Sequence, residues 1–89
     1  MTTRAKFRLI GWKNTIGSRP VGNGKWEDAI MCSLEFTAVA SNSPENQKFW
    51  NATPSGKIEI SIVNPEAVKE FDLGKEYYVD FIPVNTPAT

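Results

Sequence analysis

From Trp26 to Val39 the chain alternates. Trp26, Ile30, Cys32, Leu34 and Phe36 share one parity, while Glu27, Ser33, Glu35 and Thr37 take the other. Successive side chains point to opposite faces only in a strand, so this run predicts a β-strand with one buried and one wet face. A strand of this length has to bend or coil in a chain of 89 residues, as barrel strands do. Asn23-Gly24 stands just before it. Both residues tolerate positive φ, which marks a two-residue hairpin turn.

A hairpin needs a first arm, and Ala5 to Lys13 supplies one. Phe7 and Leu9 lie on one parity and Ile10 and Trp12 on the other. That change of parity at Leu9-Ile10-Gly11 predicts a bulge, where glycine accommodates the backbone. Gly17, Pro20, Gly22, Asn23 and Gly24 make residues 14–24 read as a connection.

Beyond the long strand, Ser43 is placed to cap a short helical turn with Pro44 at its first position. Phe49 and Trp50 end that turn, and Thr53-Pro54-Ser55-Gly56 follows as a loop. Lys57 to Val63 alternates again, with Ile58, Ile60 and Ile62 inside. Asn64-Pro65-Glu66 repeats the helix-opening logic, with an acid at the positive end of the dipole. That helix is expected over about Pro65 to Phe71. Glu76 to Pro83 forms a last strand. Both of its parities are apolar, which predicts a position in mid-sheet or cover on both sides. Residues 84–89 read as a flexible C-terminal tail after a single β domain of residues 1–83. The fold class is therefore mainly β: a small four-stranded curled sheet, or a partly open OB-like barrel, with two short helical turns.

Charge is segregated along the chain. Arg4, Lys6, Arg8, Lys13, Arg19 and Lys25 precede every acid, and the remainder holds four cations and all ten acids. The zero net charge is thus +6 followed by −6, unlike the basic balance of strong nonspecific duplex binders. The lone cysteine, Cys32, has no disulfide partner in the chain and lies in an apolar pattern, where a free thiol packs as a small hydrophobe. A reducing cytosol is the expected setting. No apolar run approaches the ~18 residues of a membrane span, and the N-terminus lacks a signal-peptide core.

Catalytic chemistry has few candidates. The chain has no histidine, the commonest general base and metal ligand. One cysteine builds neither a metal cage nor a redox pair. The glycines of residues 17–24 precede no helix that would hold phosphate. Glu27-Asp28 and the Glu59/Asp80 pair read as solvated strand carboxylates. The expectation is a protein that is no enzyme and uses no cofactor or metal.

Binding remains, in two forms. Lys6, Arg8, Trp12, Lys13, Arg19 and Lys25 interleave cations with aromatics, as single-stranded nucleic acid or nucleotide sites do, with phosphates on the cations and bases stacked on rings. In the other reading Lys6 and Arg8 face Glu35 and Glu59 across the sheet, and Phe7 and Trp12 are core and rim. Phe49 and Trp50, beside the polar stretch 42–47, form either a core plug or an exposed anchor for a protein partner, tryptophan being enriched at interface hot spots.

Residues 46–83 resemble a group of small uncharacterised proteins of tailed bacteriophages. The specific parts are Thr53-Pro54-Ser55-Gly56, Asn64-Pro65, Phe71-Asp72-Leu73-Gly74 and Gly74-Lys75-Glu76-Tyr77-Tyr78. The resemblance implies a phage origin, hence a bacterial host cytoplasm or a virion. It implies an accessory or structural role, with a phage or host protein, or a second copy in a homo-oligomer, as partner. Single-stranded nucleic acid is the alternative partner, and no membrane is expected.

Overall fold

In the computed structural model, which describes residues 3–40 and 43–84, four strands and two short helices follow one another as β1 (Thr3–Gly22), β2 (Lys25–Ala38), α1 (Pro44–Trp50), β3 (Lys57–Ile62), α2 (Pro65–Val68) and β4 (Glu76–Phe81). The strands form one antiparallel sheet in the order β3-β2-β1-β4. It is an open, curled sheet, with β3 and β4 as its two edges, so of the two expected architectures the barrel does not close.

The expected bulge is present, as a register shift between Leu9 and Gly11. It keeps the apolar residues on one face. Ala5, Phe7 and Leu9 precede it, Trp12 and Ile16 follow it, and all share the face that carries Cys32, Leu34 and Phe36 of β2. Across the other pairings the same face carries Ile58, Ile60 and Ile62 of β3 and Tyr77, Val79 and Phe81 of β4.

Only part of this face is covered. Ala5, Phe7, Leu9, Cys32, Leu34 and Phe36 are buried, packed by Trp50, Ile58, Ile62, Val68, Phe71, Tyr77 and Val79. The rings of Phe71 and Tyr77 meet Phe36 edge-on at 5.9 Å, and Trp50 lies 6.1 Å from Phe7. Full burial of one such side chain contributes roughly 1.5–3 kcal/mol.

Helix α1 is fastened by a side chain. Ser43 caps it, its Oγ accepting from the Asn46 amide at 3.3 Å. Asn46 is wholly buried. Its Oδ1 accepts from the Lys6 N–H at 2.6 Å, and its Nδ2 donates to Lys6 O at 2.7 Å and Val39 O at 2.8 Å. One carboxamide thus continues the β1 ladder where β2 ends. The helix stops at Asn51, which adopts the left-handed conformation that asparagine tolerates.

Four expectations need correction. First, β1 does not end at Lys13 but runs to Gly22. Pro20 is tolerated because β4 pairs only with residues 3–8, so this stretch of β1 is an edge. Gly17 lies in the strand because β2 comes close: a Cβ there would sit 3.1 Å from that of Met31. Second, Trp26 and Ile30 keep the expected parity but are 65% and 57% exposed, since no layer reaches them. Third, β4 is an edge strand, not a central one. Its second apolar parity is met by cations, with Arg4 4.7 Å and Lys6 5.6 Å from the Tyr78 ring centre. Fourth, α2 is shorter than expected and ends at Val68. Of the expected tail only Val84 falls within the described residues.

Candidate interaction surface on the hairpin arm

Past Gly11 on β1 and before Cys32 on β2, neither β4 nor β3 reaches the sheet. What continues is a two-stranded arm, closed by Asn23 and Gly24 with φ of 54° and 70°. The arm draws the molecule out to 49 × 42 × 18 Å and gives a radius of gyration of 16.7 Å. A compact chain of this length has about 12 Å.

One face of the arm is apolar. Cross-strand pairs set its rows: Trp12 with Leu34, Asn14 with Cys32, Ile16 with Ile30, Ser18 with Asp28, Pro20 with Trp26. Ile16 is 69% exposed, while Trp12, at 37%, pairs across the strands with buried Leu34, which in turn pairs with half-exposed Ile60. These side chains put on the order of 500 Å² of apolar surface into water, the size at which exposed patches mark binding sites. The surface continues the core face directly.

The opposite face gathers the early cations. Because of the bulge, Arg4, Lys6, Arg8, Lys13 and Arg19 all project there. Acids meet several of them. Arg4 forks onto Asp80, with Nε to Oδ1 at 2.6 Å and Nη2 to Oδ2 at 3.0 Å. This pairing lowers the Asp80 pKa and raises that of Arg4. Lys6 lies 3.8 Å from Glu45 and 3.9 Å from Glu76, and Arg19 donates to Glu27 at 2.7 Å. Arg8 donates to the Gly74 carbonyl at 3.0 Å. Among the described residues, Lys13 and Lys25 have no acid within ion-pair distance. The acids expected opposite Lys6 and Arg8 were Glu35 and Glu59; the sheet order places β4 there instead, and Glu59 bonds Lys57, whose pKa that contact raises.

Tyr78 ties this face to α1. Its hydroxyl donates to Glu45 at 2.8 Å. The bond raises the Tyr78 pKa, while the Glu45 backbone amide first, and then Tyr78, lower that of Glu45. Across β1, β2 and β3, away from Tyr78, lies an open trough of about 400 Å³ lined by Gly11, Lys13, Ser33, Glu35, Glu59 and Ser61.

The sequence-derived binding residues therefore divide. Lys6, Arg8, Lys13 and Arg19 share the outer face, Trp12 lies on the apolar face, and Lys25 stands beside the turn. Trp50 is half-buried against Phe7, its Nε1 donating to Ser55 O at 2.9 Å. Phe49 is half-exposed and lies 5.8 Å from Phe81. Ile16, Ile30 and Trp26 escaped the sequence reading as surface residues. The available signal was that Ile16 has the parity of Trp12 and lies, to within one residue, as far before the Asn23-Gly24 turn as Ile30 lies after it.

No protein-family model matches the chain, nor does any curated protein or solved structure. Among the described residues no helix is long and apolar enough to cross a membrane.

Proposed function

We propose that this chain is a non-catalytic protein that works through protein–protein contacts, with the hairpin arm as its contact element. The observation that carries this reading is the arm's uncovered apolar face. A two-stranded ribbon is marginally stable by itself in water, and this one holds Trp12, Ile16, Ile30 and Trp26 outward. A protein surface laid on that face supplies the missing layer. The proposal extends to an accessory or structural part in a phage, the setting that the reading of residues 46–83 implies.

Single-stranded nucleic acid is the second reading, favoured by the collection of five early cations on the outer face. Against it, Arg4, Lys6 and Arg19 are matched by acids, and Trp12 lies on the other side of the sheet from the cations it would assist.

Anisotropy of a labelled single-stranded oligonucleotide, titrated at low and moderate salt, separates the two. Protein contact as the function predicts no binding at low salt. It also predicts that a benzophenone side chain placed at position 26 captures protein in cells where one at position 48 does not. Tight oligonucleotide binding that falls steeply with salt, and is lost in Arg8→Glu and Lys13→Glu, would reverse the assignment.

A further inference from the structure

The rows of the arm read nearly the same in both directions. From base to tip they run aromatic (Trp12/Leu34), polar at Asn14 beside the buried thiol of Cys32, aliphatic (Ile16/Ile30), polar (Ser18/Asp28) and aromatic (Pro20/Trp26). The Ile16/Ile30 row is the midpoint, with a tryptophan row about 13 Å to either side at the rise of a strand. A face with this order is complementary to a copy of itself turned end over end.

Building on the arm as a protein-contact element, we infer that its occupant is a second copy of this chain, the two arms stacked face to face about a two-fold axis at Ile16/Ile30. In that arrangement the Trp12 row of one copy lies on the Trp26 row of the other, and the two aliphatic rows meet at the centre. The polar rows match as well. The carboxamide of Asn14, a hydrogen-bond donor, comes to the row holding Ser18 and the Asp28 carboxylate, so the two interruptions of the apolar face answer each other. Aligned face-to-face packing is the ordinary way for two sheets to share a core. Two such faces, with the half-exposed Ile60 at the base of each arm, bury about 1,000 Å² of surface, the level at which an interface becomes specific. A closed two-fold pair uses the same patch on both copies and leaves no apolar arm for further growth. The charged outer faces, with Arg19 on Glu27, stay in water on both sides.

Sedimentation equilibrium of the full chain over a range of concentration tests this. The expected result is a monomer–dimer equilibrium that Ile30→Asp, at an exposed position, weakens at least about tenfold without altering the circular dichroism spectrum. Asn14→Asp, which sets a carboxylate against Asp28 of the second copy, weakens it too. Adding Asp28→Asn restores it, because within one chain these residues lie on rows about 13 Å apart. A chain that stays monomeric at every concentration overturns the second-copy assignment. If benzophenone at position 26 then captures a different protein, the protein-contact role survives without self-association. A dimer indifferent to Ile30→Asp, or one weakened by Asn14→Asp and not rescued, overturns the face or its register.

Discussion

One face of one sheet has two fates in this molecule. In the body, the Phe7–Leu9 stretch of β1 and Leu34 and Phe36 of β2 are sealed beneath Trp50, Phe71 and Tyr77. In the arm, the same two strands continue with the same parity, and Ile16, Trp26 and Ile30 stand in water. Strand pattern sets which way a side chain points; what covers it is decided by distant segments. Helix α1 and the segments after Gly56 reach only as far as the Cys32 row. The body is complete as a single chain, and the proposed dimer would complete the arm.

The contrast predicts opposite consequences for apolar residues of similar size. Leu9→Ala, at a fully buried site, is expected to destabilise by about 2–5 kcal/mol in chemical denaturation. Trp50→Ala, which opens the lid over Phe7 and Gly56, is expected to lose about 3 kcal/mol. Should Trp50→Ala leave stability unchanged, the lid would belong with the exposed surface and the division drawn here would fail.

Next in size is Asn46. Asn46→Ala leaves the Lys6 N–H and the Val39 carbonyl without their side-chain partner, Lys6 O keeping the Val39 N–H, at a cost of about 1–3 kcal/mol for each group left unpaired. Asn46→Asp is expected to be no better, since a carboxylate has no donor for Lys6 O and Val39 O. Equal stability of all three proteins would mean that water reaches the site.

Smaller still are the arm substitutions. Ile16→Thr and Trp26→Ser are expected to change the stability of the dilute monomer by no more than about 0.5 kcal/mol. A loss comparable to that of Leu9→Ala would show that the arm's face is covered within the chain.

The smallest effect is a pH dependence of the contacts that β4 makes with α1 and β1. Asp80 and Glu45 have lowered pKa values when folded, so their contribution is full above the ordinary carboxylate value and lost as pH falls through the folded one. Tyr78 is raised, so its contribution is full below the ordinary tyrosine value and lost as pH rises through the folded one. Melting temperature against pH should therefore fall less steeply in acid for Asp80→Asn, and less steeply in alkali for Tyr78→Phe. Unchanged slopes would remove these contacts from the account.

Much of the body was legible in the chain because its signals are local. Ser43-Pro44 and Asn64-Pro65 open helices by capping chemistry, Asn23-Gly24 turns the hairpin, and the parity change at Leu9-Ile10-Gly11 is a bulge. The first strand of the arm was not legible, for a nonlocal reason. Gly17, Pro20 and Gly22 read as loop signals, and each is permitted in this strand by circumstances elsewhere: the close approach of Met31, the early end of β4, and the hairpin turn. The edge position of β4 was hidden in the same way. Tyr78 looks like a core residue in sequence and is instead roofed by Arg4 and Lys6 from the neighbouring strand.

Amide hydrogen exchange, measured residue by residue in dilute and in concentrated solution, tests the division between body and arm most directly. The account predicts slow exchange in the paired body at both concentrations. It predicts fast exchange across the arm in dilute solution, slowing markedly on concentration as a second copy covers the Ile16/Ile30 face. An arm as protected as the body when dilute, or one that stays unprotected when concentrated, would contradict it.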